Sequence, residues 1–268
     1  MNARGFGLAL LVLCVMGGLI AALFTPAIAA TLTLPATFSA AHTTSPARVQ
    51  PTPVATQVPT GPAPQATAPA SGVTVLARDN FQRPDQALWG TSSDNRVWGG
   101  DANTNPAFSI VNHAGQIAGA KGALQATLNV PNADAELLVS GSVNRFDANG
   151  DVNLGCVLRW QDPQNWYKVL INGSVLQLLR SVNGKISVLG AQPLQAVGGT
   201  TYSIRFRVVG SNLFAKAWPS AQPEPANWAL MIIDTQLVSG VSGIRVLLAS
   251  GSVIRVTSFL ETNVAMTM

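Results

Sequence analysis

Apolar and polar residues alternate over short runs along most of the chain after Val73. In the segment Asn165 to Leu189, NWYKVLINGSVLQLLRSVNGKISVL, two Asn-Gly pairs separate three such runs. Asn tolerates positive φ and Gly has no Cβ, so this pair suits a type I′ turn between antiparallel strands. We therefore predict a meander that turns at Asn172-Gly173 and at Asn183-Gly184. Its strands are predicted over 166–171, 174–181 and 185–189.

The same alternation predicts strands through the rest of this region, with Gly, Pro, Asn and Asp between them. No window of a dozen residues shows the 3.6-residue period of a helix. A further tight turn is predicted at Gly210-Ser211. Short strands at this spacing are typical of an antiparallel sandwich or barrel. The further predicted strands are 73–78, 107–111, 116–119, 123–128, 136–146, 152–160, 201–209, 212–218, 228–235, 243–249 and 253–262.

Residues 1–30 have the pattern of an export signal. Arg4 precedes the apolar, uncharged run GFGLALLVLCVMGGLIAALF, and Pro26 and the A-x-A site Ala27-Ile28-Ala29 follow it. This order is typical of a secretory signal peptide. The run also approaches the ~20 residues that span a bilayer, so an uncleaved signal anchor is the alternative. In both cases the rest of the chain is predicted to be extracellular or at the cell surface, with membrane contact only through this segment.

Residues 31–72 are rich in Ala, Thr, Pro and Gln and carry almost no charge. Such a segment buries too little apolar area to offset the entropy of ordering, and it is predicted to be a disordered, extended linker. Residues 73–268 then form one domain, because about two hundred residues suffice for a single sizeable core.

The charge distribution argues against one class of partner, and the cysteine content excludes a disulfide within the domain. The chain has 16 Lys and Arg against 12 Asp and Glu, a net charge of +4. The basic residues form no cluster with interleaved aromatics, so a nucleic-acid partner is not expected. Cys156 is the only cysteine after the signal. It can form no disulfide within the domain, and its place on an alternating strand predicts a buried core thiol.

Three segments resemble the concanavalin A-like jelly-roll modules of bacterial secreted and surface proteins, which are relatives of laminin G-like domains. They are the Asp-x-Phe-x-Arg opening at 79–83, the Arg-Trp and Asn-x-Tyr strand pair within 159–167, and the Lys-x-Trp-Pro…Glu-Pro-x-x-Trp segment at 216–228. The resemblance implies an all-β fold of two stacked antiparallel sheets. It also implies that the first and last strands pair.

The acidic residues do not form a glycosidase pattern. Jelly-roll hydrolases place several carboxylates on alternate positions of one strand, which aims acid and nucleophile at one sugar. The chain has only Glu136, Glu224 and Glu261, far apart in sequence. We therefore expect a non-catalytic module. A polysaccharide hydrolase or lyase is one alternative, and a surface scaffold without a small ligand is another.

The leading hypothesis is binding of an extracellular glycan or cell-surface polymer. Aromatic rings stack on sugar faces and polar side chains bind the hydroxyls. On the strand NWYKVLIN, Tyr167, Val169 and Ile171 alternate inward, which leaves Trp166 and Lys168 on the other face. For Trp166, packing in the core or at a strand edge is the alternative to ligand contact.

Two neighbouring strands complete this predicted surface. On one, Leu154, Cys156, Leu158 and Trp160 are predicted to face inward and Arg159 outward. On the other, Gln177 shares a face with Val175 and Leu179. The predicted ligand-binding residues are Trp166, Lys168, Gln177 and Arg159.

The stretch Asp147–Asp151, DANGD, offers hard oxygen ligands. Asp147, Asn149 and Asp151 are therefore candidate calcium ligands, and no other cofactor is expected. The alternative is a plain turn, since Asx side chains cap their own backbone and Gly supplies positive φ.

Overall fold

Two antiparallel β-sheets stack face to face in the computed structural model, which describes residues 73–147 and 149–264. The predicted export signal and linker, residues 1–72, lie outside the described residues. Within the described ranges, no helix is long and apolar enough to cross a membrane.

Sixteen strands and one short 3-10 helix, Asp101–Asn103, are found in the described residues. The first eight strands are β1 (Val75–Asp79), β2 (Gln86–Ala87), β3 (Trp98–Gly100), β4 (Phe108–Val111), β5 (Ala114–Ala118), β6 (Gly122–Asn132), β7 (Ala135–Val143) and β8 (Leu154–Asp162). The others are β9 (Asn165–Ile171), β10 (Val175–Val182), β11 (Lys185–Pro193), β12 (Thr201–Val209), β13 (Asn212–Pro219), β14 (Leu230–Ile233), β15 (Gly240–Leu248) and β16 (Val253–Asn263).

The strand order is that of a jelly-roll sandwich. One sheet has nine strands in the order β14-β13-β12-β7-β16-β5-β4-β2, with β1 also paired to β16. The other has seven in the order β11-β10-β9-β8-β15-β6-β3. The predicted meander is confirmed as β9, β10 and β11. The predicted pairing of first and last strands is also confirmed, with Ala77 opposite Glu261.

The core lies between the sheets and is built from alternate residues of each strand. Tyr167, Val169 and Ile171 are fully buried there, as their alternation predicts. Cys156 is also fully buried in this core, so the prediction of a core thiol is confirmed. Its burial raises the pKa of the thiol to about 12, which leaves it protonated and unreactive at neutral pH.

The tight turns differ in type. Asn183 and Gly184 have φ values of 51° and 76°, and Val182 pairs with Lys185, so the two-residue type I′ turn is confirmed. The turn at Gly210-Ser211 is also confirmed, since Val209 pairs with Asn212.

The hairpin at Asn172-Gly173 is confirmed, but its predicted turn type is wrong. Gly173 has a φ of 99°, whereas Asn172 is not among the residues with positive φ. The Asn172 side-chain oxygen instead accepts bonds from the backbone N–H groups of Ser174 and Val175, at 3.3 and 3.2 Å. This Asx-type turn lengthens the loop, and β10 starts one residue later than predicted.

The Asp-x-Phe-x-Arg opening has a structural role. The buried Asp79 carboxylate accepts bonds from Phe81 N at 2.8 Å, Arg83 Nη1 at 2.8 Å and Trp98 Nε1 at 2.7 Å. It also accepts one from Ser93 N at 3.3 Å. One carboxylate thus ties β1 to β3 and to the loop between them.

The Lys-x-Trp-Pro…Glu-Pro-x-x-Trp segment holds a long loop on the nine-stranded sheet. Lys216 Nζ lies 2.8 Å from Glu224 Oε1 and donates to Pro225 O at 2.6 Å. It also lies 4.8 Å from the centre of the Trp228 ring. Lys216 therefore anchors both halves of the motif, which explains the spacing of its residues.

The sandwich has two distinct ends. The described chain enters and leaves at one end, where Asn263 N donates to Thr74 O at 3.0 Å. The 11-residue strand β16 starts at the opposite end, roughly 35 Å away at 3.2–3.4 Å per residue. We call that opposite end the distal end. Its loops include 119–121, 144–153 and 249–252.

Candidate functional site

The outer face of the seven-stranded sheet, which points away from the core, carries Trp166 and Lys168 as predicted. Trp166 is nevertheless only 2% exposed. It packs with Val157 and Trp160, with Leu179 and Val241 at the margin, and its Nε1 donates to Pro163 O at 2.9 Å. Its ring has no open face on which a sugar can stack, so the packing alternative describes this residue.

A β-bulge reverses the predicted orientations of Arg159 and Trp160. The register between β8 and β9 shifts between Leu158 and Asp162, and Arg159 has a φ of 50°. The extra residue moves Trp160 to the outer face beside Trp166. The predictions that Trp160 faces the core and that Arg159 faces outward on the sheet are therefore wrong.

Arg159 joins loops instead of facing a ligand. Its guanidinium donates to Ala133 O at 2.8 Å, Leu237 O at 2.6 Å and Gly210 O at 2.7 Å. It also lies 3.3 Å from Asp134 Oδ1 and is only 4% exposed. Since these bonds occupy its donors, Arg159 is not part of the candidate surface.

Lys168 runs along the outer face and across β8. A Cβ at Gly155 would lie 2.6 Å from Lys168 Cε, so the glycine leaves the space in which the chain lies. The ammonium donates to Asn153 Oδ1 at 2.7 Å, and the residue is 5% exposed. Burial, and then the nearby charge of Arg245, lower the pKa of Lys168 to about 7.

Arg245 on β15 covers the tryptophan pair. Its guanidinium carbon lies 5.0 Å from the Trp160 ring centre and 5.1 Å from that of Trp166, which is cation–π geometry. Its Nη1 donates to Gln125 Oε1 at 2.9 Å. Burial lowers the pKa of Arg245, and the charge of Asp101 opposes this shift. The side chain is half-buried, so part of it is accessible.

We call Lys168 and Arg245 the cationic patch. Among the described residues, neither forms a salt bridge within 4.0 Å. Gln177, half-buried and opposite Leu170 on β9, lies on the same face. The sheet therefore brings together three of the four predicted ligand-binding residues, of which Gln177 is the most accessible.

The three candidate calcium ligands line one cavity at the distal end. This cavity, the distal pocket, has a volume of about 440 Å³. Asp147 Oδ1 is shielded from solvent and has no hydrogen-bond partner among the described residues. The residues that line the pocket are Lys121, Gly122, Asp147, Asn149, Asp151, Leu247, Leu248, Ala249 and Ser250.

These side chains fit calcium only in part. Two carboxylates and one amide supply a fraction of the six to eight oxygens that Ca²⁺ takes. Within the described residues, no group of three or more His, Cys, Asp or Glu is arranged to hold a metal ion. The pocket is polar and open, with mixed charge from Lys121 and the two aspartates.

The distal pocket adjoins the cationic patch. Leu247 lines the pocket and lies two residues from Arg245 on the same face of β15, about 7 Å along a strand. Asn153, the partner of Lys168, forms a bridge with Leu247. Sequence reasoning missed Arg245 and Lys121. The alternation of GIRVLLA indicates an outward Arg245, but only the sheet order reveals its neighbours.

The three glutamates, all within the described residues, do not form an acid–base pair in a cleft. Glu136 and Glu224 both bind Arg205. Glu261 faces the core, is 1% exposed, and accepts a bond from Ser242 Oγ at 2.6 Å. Glu136 and Glu224 are thus engaged in ion pairs, and Glu261 is out of reach of a substrate.

Two buried groups give a testable pH dependence of stability. Burial raises the pKa of Glu261 from 4.5 to about 7, so between these values the folded state binds the extra proton and stability falls as pH rises. The pKa of Lys168 falls from 10.5 to about 7. Between these values the unfolded state binds the extra proton, so stability rises with pH. We expect a stability minimum near pH 7, with each limb worth about 2–3 kcal/mol over two pH units.

Urea unfolding at pH 5, 7 and 9 measures both limbs. Glu261→Gln is expected to flatten the limb below pH 7, and Lys168→Met the limb above it. Higher pH is avoided because the raised pKa values of Cys156 and Tyr167 lower stability there. A wild-type maximum at pH 7 that neither substitution alters would contradict the assignment.

Comparison with known proteins gives the fold. No protein-family model matches the chain, and no curated protein matches it. Xylan beta-1,4-xylosidase from Bacillus halodurans C-125 is similar in structure, with a TM-score of 0.53 and 12% identity over 69% of this chain and 39% of that one. The GH43 BlXynB protein from Bacillus licheniformis also gives a TM-score of 0.53, with 11% identity over 70% of this chain and 39% of that one.

A shorter structure is matched over most of its length. The carbohydrate binding module CBM66 from Bacillus subtilis has 14% identity and a TM-score of 0.46, over 60% of this chain and 94% of that one. The chain spans only 39% of the length of the xylan beta-1,4-xylosidase and of the BlXynB protein. The sheet order and the pairing of first and last strands, with the two likenesses at a TM-score of 0.53, show that the described domain has a jelly-roll sandwich fold, as the resemblance to concanavalin A-like modules implies.

Proposed function

We propose that this protein is an exported, non-catalytic carbohydrate-binding module whose ligand occupies the distal pocket and the adjoining outer face. The observation that carries the proposal is the pocket itself. It is open, about 440 Å³ in volume, and lined by carboxylate acceptors, by side chains that can donate hydrogen bonds and by apolar side chains. This mixture is typical of sites that bind small polar molecules.

The chemistry of the pocket suits sugar hydroxyls. A sugar hydroxyl both donates and accepts hydrogen bonds. The carboxylates of Asp147 and Asp151 can accept its O–H, and the ammonium of Lys121 can donate to its oxygen. Asp147 Oδ1, which lacks a partner among the described residues, is the acceptor that gains most from a ligand. Leu247 supplies an apolar surface for the C–H face of a sugar ring.

The structural comparison supports this proposal. The fold is shared with part of a xylan beta-1,4-xylosidase at a TM-score of 0.53. The name of that protein states that it acts on xylan, a polysaccharide. The ion pairs of Glu136 and Glu224 and the burial of Glu261 favour binding over hydrolysis. Export remains the prediction made from residues 1–30.

A panel of immobilised polysaccharides tests the proposal with the full-length protein. We expect retention on at least one polysaccharide and a loss of about tenfold or more in affinity for Asn149→Ala combined with Asp151→Ala. Both side chains are exposed, so the melting temperature should stay within ~2 °C of wild type.

Asn212→Ala is the matched control. Asn212 is an equally exposed amide on the opposite end of the sandwich, and its loss should leave binding unchanged. Repeating the panel with Ca²⁺ and with a chelator separates direct contact by the aspartates from contact through a bound ion. Retention on no member of a broad panel would favour the scaffold alternative.

A further inference from the structure

We infer that the glycan is anionic: its carboxylate or sulfate groups bind the cationic patch of Lys168 and Arg245 on the outer face. This inference rests on the proposed function and names the chemical class of its ligand. It comes from two neighbouring positive charges that the described protein leaves without a salt-bridge partner.

The two cations lie close together, on β9 and β15, which are the neighbours of β8 on either side. Lys168 on β9 extends over Gly155 of β8, and Gly155 lies beside β15, where its added Cβ would be 2.9 Å from Arg245 O. Both side chains stand on the same face of the sheet. Like charges at such separation repel, and here they do so where burial has removed much of the solvent that would screen them.

Nothing on this face of the described protein offsets the two charges directly. Lys168 has a neutral partner, the amide oxygen of Asn153 at 2.7 Å, and Arg245 has another, Gln125 Oε1 at 2.9 Å. The acid whose charge reaches Arg245 is Asp101. Its carboxylate accepts a bond from Gln125 N at 2.9 Å and lies outside ion-pair distance of the guanidinium.

Buried cations are usually paired with an anion, because an unpaired charge in a poorly solvated site is unfavourable. The tryptophan pair contacts the guanidinium of Arg245, whose carbon lies about 5 Å from each ring centre. Arg245 is thereby positioned in advance of binding, while its half-buried state leaves it within reach of a ligand. Planar guanidinium groups bind carboxylate and sulfate oxygens in pairs.

The pocket and the cationic patch together can bind one ligand that carries both hydroxyl groups and a charged substituent. Hydroxyls of one sugar unit would bind the carboxylates of Asp147 and Asp151, and the charged substituent would lie about 7 Å further along β15, at Arg245. The acidic pocket repels that substituent and the patch attracts it. The ligand is therefore fixed in one direction along the face.

Binding to charged and neutral polymers of matched backbone tests the inference with the full-length protein at about pH 6, below the pKa of about 7 of Lys168, so that both cations are protonated. Polygalacturonate is compared with its methyl ester, and dextran sulfate with dextran, so that the carboxylate and sulfate arms are read separately. We expect at least one charged polymer to bind about tenfold or more tightly than its neutral counterpart, and Arg245→Gln to remove most of that difference. Lys168→Met should weaken the same interaction.

Lys185→Gln is the matched control. Lys185 is an exposed cation beside the Asn183-Gly184 turn, at the end of the sandwich opposite the distal pocket. Equal losses in Arg245→Gln and Lys185→Gln would show attraction by net charge alone and overturn the inference. Neutral polymers that bind as tightly as charged ones would overturn it while leaving the proposed function intact. If none of the four polymers binds, the inference fails, and retention on the broader polysaccharide panel decides whether the proposed function fails with it. Melting temperatures of all variants identify losses that come from unfolding.

Discussion

Trp166→Ala is expected to lower the free energy of unfolding by about 3–5 kcal/mol, as for other truncations of buried aromatic side chains. The ring is 2% exposed and packs with Val157 and Trp160. Its removal opens a cavity on the outer face and takes one of two aromatic surfaces from beneath Arg245. Urea or thermal unfolding of the purified variant measures the loss.

Trp166→Phe is the matched control for this prediction. Phenylalanine keeps most of the apolar contact but loses the bond from Nε1 to Pro163 O, so we expect a loss of about 1–2 kcal/mol. If the Trp166→Ala protein unfolds at the wild-type urea midpoint, the Trp166 ring is exposed to solvent and does not pack on the sheet. The stacking hypothesis for Trp166 would then apply again.

Asp79→Ala is expected to destabilise the domain by a similar amount, about 3–5 kcal/mol, because it breaks a buried ion pair and leaves the hydrogen-bond donors to this carboxylate without an acceptor. The carboxylate is 1% exposed and accepts bonds from Arg83, Phe81 N and Trp98 Nε1. Without it, the Trp98 indole N–H loses its acceptor in the core. Denaturant unfolding measures the loss.

Asp79→Asn separates the contribution that the charge of the Asp79 carboxylate makes to stability from the contribution of its shape. The amide keeps one acceptor oxygen and nearly the same volume, so it should retain part of the network and lose roughly half as much stability. If both variants are as stable as wild type, the Asp-x-Phe-x-Arg motif does not hold β1 in place. The motif would then need another explanation, such as a role in ligand binding.

Much of the sandwich follows from local rules of the sequence. Alternation locates every strand longer than three residues, and Asn183-Gly184 gives its turn directly because both residues take positive φ. The Asn172 turn is different, because the Asn side chain bonds the backbone two and three residues ahead. β2 and β3, with two and three residues, are too short for alternation to be visible.

The candidate site was harder to predict, since it depends on contacts between distant strands. Alternation predicts the faces of Trp166 and Lys168, but the burial of Trp166 depends on Arg245 and on the bulge at Arg159, which brings Trp160 beside it. An arginine at positive φ has no sequence signature, and the bulge reverses the orientation of Trp160, which follows it on β8. The sequence predicts Asp147, Asn149 and Asp151 as one group of candidate calcium ligands, whereas the pocket around them is built from β6 and β15.

The separation of the two ends of the sandwich has a mechanical consequence. The chain enters through β1, which runs from Val75 towards the distal end and is paired with β16 over four residue pairs. A pull at Val73 against a ligand held at the distal pocket acts along the axis of β1. The hydrogen bonds between β1 and β16 are then loaded together in shear, whereas a pull across the strands would break them one at a time. A ligand held at the distal end therefore places tension on the domain in the direction in which its first strand resists extraction best.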